Sequence, residues 1–183
     1  MKKRLINYLI GFFVLFILIQ SGLLIYQNNK LKSQIKTLKT SAPHLLIEEN
    51  APQIKAIDLN GKEENINFST INKKILFFIF SPSCVPCEKN FVFWQRLNLK
   101  LKEKVHAMAI IIGELDDVKL LKQAKKIRFP LYIPKEKDKF ISNYRISNFS
   151  QTILIDEKGK IQWIKAGNLD GDDYNRIKEL ALR

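Results

Sequence analysis

Residues 75–94 read ILFFIFSPSCVPCEKNFVFW, and the pattern changes character twice along them. The first six residues are wholly apolar, as expected of a short strand buried on both faces. Ser81, Pro82 and Ser83 then bring turn chemistry. From about Cys84 to Lys104 the spacing predicts a helix. Within it Phe91, Trp94, Leu97 and Leu101 recur every three or four residues and mark a core-facing side. Cys84 and Cys87 therefore stand where a buried strand passes into an amphipathic helix.

That placement suits thiol chemistry. A thiolate, not a thiol, attacks a disulfide, and a helix N-terminus favours the ionised form through its free N–H groups and dipole. Cys84 is the expected nucleophile and Cys87, one turn on, the expected resolving thiol. Pro86 fits between them because first-turn N–H groups have no partner within the helix. The chain holds only these two cysteines. The disulfide framework of a small secreted protein needs more. Structural zinc normally takes four ligands, and besides the cysteines only His44 and His106 are on offer, at no recognised spacing. His106 lies within an apolar run and is expected to pack in the core.

Working outward, residues 53–59 largely alternate apolar and polar positions and end at Asn60-Gly61, a hairpin signal. Residues 105–112 predict a second buried strand and 115–128 a second helix. A short helix is expected within 133–146, strands at 152–155 and 162–165 about the turn 156–160, and a closing helix at 172–182. The fold class is α/β, a mixed sheet with helices on both faces.

Net charge is +13, but seven of the 31 basic residues and none of the 18 acidic ones fall in residues 1–43. Lys119, Lys122, Lys125, Lys126 and Arg128 lie at helical spacing beside Leu120, Leu121 and Ile127. No aromatic residues interleave there for base stacking, so a solvated helix face is expected rather than a nucleic-acid site. After the basic residues at 1–4, no charge appears from Leu5 to Asn29. A helix needs about 20 residues to cross the hydrocarbon core. Residues 5–26 are accordingly read as one transmembrane anchor, 27–44 as a stalk or linker, and 45–183 as the domain. A cleaved signal peptide would have a shorter apolar stretch and an Ala-x-Ala-like site, which does not follow here. In the stalk Leu31, Ile35 and Leu38 form one short stripe, which Ser41, Ala42 and Pro43 interrupt. Basic residues flank the span on both sides. The short basic N-terminus and the large C-terminal domain favour the N-terminus inside and the domain outside.

The stretch 75–94 resembles the active-site strand, loop and helix of membrane-anchored thioredoxin-like oxidoreductases of the TlpA/ResA type. Ala51-Pro52 with IKAIDLNGK, then VHAMAIIIGELDD, FPLYIP and YRISNFSQTILIDEKGKI, resemble that family's other landmarks, so the likeness covers about residues 48–182. The Ser-Pro-Ser-Cys lead-in also resembles redoxins that assist maturation of methylamine dehydrogenase. The resemblance implies a thioredoxin fold and thiol–disulfide exchange on the extracytoplasmic (periplasmic) side of a bacterial inner membrane. It implies protein dithiol or disulfide clients, a membrane or extracytoplasmic electron donor, and no cofactor beyond the Cys84–Cys87 couple. With Val85 and Pro86 between the cysteines and no histidine there, a reducing or mid-range potential is expected. Apocytochrome c, a copper-site assembly protein and a general disulfide pool all stay open as clients.

Three positions depart from the family's pattern and are read as shaping the site. Ser83 stands where the family has Trp, and Asn90 where members often carry a proton-moving Glu. Ser150 stands where the family has a cis-proline, which makes Phe149–Ser150 the bond to watch, since cis bonds are essentially a proline feature. Glu88 is close in sequence and is expected on the helix surface. Two rival uses of the dithiol remain. One is metal binding or delivery through Cys84 and Cys87, although copper-delivery relatives space their cysteines one residue wider and add a distal His. The other is a thiol peroxidase, since Ser81 lies three before Cys84, yet Phe77 holds the place where that motif needs proline.

Overall fold

Runs of β-branched and aromatic residues closed by turn chemistry set the order of elements. The computed structural model describes residues 2–40, 45, 47–85, 87–147 and 149–183, with side chains of the first helix described at 11 and 13–31. The chain divides into two units, Met1–Ala42 and Pro43–Arg183. The first is a helix, α1 (Lys2–Thr40). The second begins with β1 (Ile54–Asp58) and β2 (Glu63–Ile66), a single 3-10 turn at Phe68–Thr70, and β3 (Lys74–Phe80). There follow α2 (Cys87–Leu101), β4 (Val105–Ile111), α3 (Leu115–Ala124) and β5 (Leu131–Pro134). Finally come α4 (Lys137–Asn143), β6 (Gln151–Ile155), β7 (Ile161–Ala166) and α5 (Gly171–Leu182).

The seven strands form one sheet in the order β2-β1-β5-β4-β3-β6-β7. β3 and β4 run parallel, as do β4 and β5, and the remaining pairs are antiparallel. All seven residues of β3 are buried, as its unbroken apolar run requires. Alternate residues of β3 feed two cores. Leu76, Phe78 and Phe80 pack with Trp94, Leu97 and Ile177 on the α2 and α5 face. Ile75, Phe77 and Ile79 pack with Phe68, Phe140 and Tyr144 on the other. The helical stripe of Phe91, Trp94, Leu97 and Leu101 is buried, and Trp94 Nε1 donates to Thr152 Oγ1 at 2.8 Å.

Several boundaries differ from the reading above. β5 arises within FPLYIP, where flanking prolines disguise a strand that pairs parallel to β4. α3 stops at Ala124, and Lys126 takes a positive φ of 51° that ends the helical run. His106, the second residue of β4, is exposed and not packed in the core. Partial desolvation by its surroundings, with the charge of Lys73, still holds its pKa below the usual histidine value.

The expected span at 5–26 lies within α1, whose described side chains are exposed. Among the described residues, no helix is long and apolar enough to cross a membrane. The side chains of residues 2–10 and of Ile35 and Leu38, and residues 41–44, lie outside the described residues.

Candidate active site

Cys84 and Cys87 are joined in a disulfide, with their Cα atoms 5.3 Å apart. The helix does not begin at Cys84, as its sequence suggests, but at Cys87. The Cys84 N–H is taken by Ser81 O, and the N–H groups of Cys87 and Glu88 go to Cys84 O and Val85 O, each three residues back. These are turn bonds, one at Ser81–Cys84 and two at the entry to α2. Cys87 is 0% exposed and belongs to the core, whereas Cys84 is half-buried. One sulfur-bearing residue thus faces reagents and the other is sheltered behind it.

The loop is buttressed from β4. Ile112 N–H donates to Phe80 O, and a Cβ placed on Gly113 would lie 2.7 Å from the Pro82 ring. Only glycine lets the two loops approach this closely. Ser81 and Ser83 share a hydrogen bond between hydroxyls, 3.1 Å apart, on the exposed rim. Beside them is a cavity of about 160 Å³ lined in part by Cys84, Val85, Glu88, Phe91 and Lys125. Glu88 is exposed, as expected, and pairs with Lys125 at 2.7 Å. That hydrogen bond, with the lysine charge, holds the Glu88 carboxyl below its ordinary value. Pro86 lies outside the described residues.

Asn90 and Ser150, noted separately in the sequence, meet. Asn90 is wholly buried one turn beyond Cys87, and its amide donates to Ser150 Oγ at 2.6 Å and to Gly167 O at 2.9 Å. Its carbonyl oxygen accepts from Leu169 N–H at 2.8 Å. The Ser150 hydroxyl donates to Gly167 O at 3.1 Å, and Gly167 N–H returns a bond to Ser150 O. The Phe149–Ser150 peptide is cis. Ile79 pairs with Gln151, which puts Ser150 beside Phe80, where β3 runs out into the Cys84 turn. Phe149 and Cys84 pack against the same core. Gly167, Leu169 and Gly113 were not singled out in the sequence, and Lys125 was read only as part of a solvated helix face, because their partners lie far along the chain. The glycines, each just beyond the end of a strand, are the one signal that could have found them.

Residues 47–164, more than half of the chain, match the AhpC/TSA family. The chain belongs to that family. This AhpC/TSA member is 33% identical over 118 residues to the thiol-disulfide oxidoreductase ResA of Bacillus thuringiensis (strain Al Hakam). That match covers 63% of this chain and 66% of the relative, just under two thirds of the relative's length. A second ResA, from Bacillus thuringiensis subsp. konkukian, is 31% identical over 125 residues, covering 67% of this chain and 70% of the relative. Among solved structures, the thioredoxin domain of a thiol-disulfide oxidoreductase from Bacteroides vulgatus superimposes with a TM-score of 0.65 at 25% identity. The superposition covers 75% of this chain and 99% of that one. The fold is thioredoxin-like.

The candidate site of this AhpC/TSA member presents two sulfurs, those of Cys84 and Cys87. Among the described residues, no group of three or more His, Cys, Asp or Glu side chains gathers where it could hold a metal ion. The buried polar side chains Asn90, Ser150 and Thr152 are neutral and bonded to one another or to Trp94 and the backbone.

Proposed function

We propose that this protein is a membrane-tethered thiol–disulfide oxidoreductase whose Cys84–Cys87 couple exchanges disulfides with extracytoplasmic client proteins at a reducing or mid-range potential. The observation that carries this reading is the unequal burial of a bonded cysteine pair at the end of a buried strand. In the reducing direction the Cys84 thiolate attacks a client disulfide. One client sulfur leaves as a thiolate, and a Cys84–client disulfide forms. The Cys87 thiolate then attacks Cys84, releasing the second client thiolate and closing the Cys84–Cys87 disulfide. Two electrons pass to the client, and the two protons lost by the cysteines end on the client thiols. The oxidising direction is the same path reversed, and the potential decides between them.

The anchor rests on the charge-free stretch from Leu5 to Asn29, the basic residues on either side of it, and the resemblance described above. Clients in cytochrome c or metalloenzyme maturation fit this reading through the same resemblance. Insulin reduction by the full chain, with a Cys87→Ser variant that holds a client on Cys84, is the direct test. Absence of dithiol titration and of exchange with glutathione sinks the reading. A periplasmic reporter fused to the C-terminus, active only when exported, tests the topology.

A further inference from the structure

We propose that Asn90 is a positioning residue that, through Ser150 and Gly167, holds the chain beside the disulfide in register with Cys87. This rests on the exchange activity proposed above.

Three separate pieces of chain meet at one amide. Asn90 belongs to α2, Ser150 immediately precedes β6, and Gly167 with Leu169 joins β7 to α5. Every hydrogen-bonding direction of that amide toward these segments is used: both donors, to Ser150 Oγ and Gly167 O, and the acceptor, from Leu169 N–H. With Asn90 and Ser150 both 0% exposed, water is kept from competing for these bonds. In such a dry site each bond is stronger and each loss costs more.

The arrangement bears on the two exchange steps differently. A small disulfide has only to reach the half-buried Cys84. A protein disulfide also lays its own chain on the surface around Cys84 and must stay there until Cys87 attacks; Phe149, packed on the same core as Cys84, directly precedes Ser150, which is bonded to the turn at Gly167. Asn90 is the side chain that links Cys87's helix to both of those segments. Loosening it therefore penalises bulky clients more than small ones, because misplacement of reacting groups is costly in rate.

The test compares pre-reduced full chain, wild type against Asn90→Ala, Ser150→Ala and the double variant, acting on insulin and on glutathione disulfide. The ratio of the insulin rate constant to the glutathione disulfide rate constant is expected to fall about tenfold in each single variant. The double variant is expected to fall little further, as for residues acting through one contact. Equal loss on both substrates assigns Asn90 to the fold alone and overturns the proposal, as does an unchanged ratio. Ser150→Ala removes a single oxygen atom, so it carries the test if Asn90→Ala does not fold. Wild-type protein inert toward both substrates would instead refute the exchange activity itself.

Discussion

Asn90 and Ser150, 60 residues apart in sequence, share a buried hydrogen bond of 2.6 Å between amide and hydroxyl. The bond has a consequence for stability that depends on pH. In Asn90→Asp the introduced carboxyl keeps the acceptor for Leu169 N–H but loses, once ionised, the donors to Ser150 and Gly167 O. Burial raises its folded pKa above the unfolded value of about 3.9, so the variant is least impaired below that pH and loses ground as pH rises. A deficit of about 1–3 kcal/mol at neutral pH, shrinking toward pH 4, is expected from urea unfolding followed by Trp fluorescence.

Gly113→Ala tests the support of the disulfide loop. The added methyl meets the Pro82 ring at 2.7 Å, so one loop must move. Urea unfolding should show a loss of about 1–3 kcal/mol, as for other overpacked sites. The second-order rate of insulin reduction should fall with it, because Pro82 leads directly into Cys84.

Gln151 works in the opposite direction. It is 1% exposed, and neither its amide nitrogen nor its amide oxygen has a partner among the described residues. Gln151→Met keeps the length and removes the unsatisfied polar atoms. A gain of about 1–2 kcal/mol is expected in the same unfolding measurement, and a loss would show that the amide is satisfied in solution.

Glu88→Gln leaves the Lys125 charge unneutralised on the cavity that also holds Cys84. A nearby cation favours the thiolate, so reduced Cys84 should be alkylated about threefold faster at neutral pH than in wild type. Because Lys125 holds the Glu88 carboxyl below its ordinary value, the ion pair persists through the neutral range and is lost only as pH falls through that lowered value. The difference between the two proteins should therefore vanish only in acid.

Much of the fold was readable because its signals are local. The run Ile75 to Phe80 is apolar at every position, and β3 is buried at every position. Asn60-Gly61 closes the hairpin of β1 and β2, with Gly61 at a positive φ of 83°. The cysteine pair was equally legible, since its spacing and its place after a strand needed no distant information. What escaped depends on contacts between remote residues. β5, preceded by Pro130 and ending on Pro134, is hidden until β4 is beside it to pair with. The helix begins at Cys87, three residues later than the spacing suggests, after a turn bond from Cys84 N–H to Ser81 O. Ser83, Asn90 and Ser150 stood out as three unrelated departures. Sequence did not reveal that two of them are bonded to each other while the third lies apart on the rim.

Val85, between the two cysteines, is 78% exposed. Its neighbour Cys87 is sealed in the core, so two adjoining parts of one four-residue motif answer to different demands. The interior half is bound to folding and tolerates little. At Val85 most of the side chain meets solvent rather than the core, so substitution there changes what a client meets at little cost to folding. Divergence of function among such proteins therefore has a free coordinate, and it sits at the point where the reagent arrives.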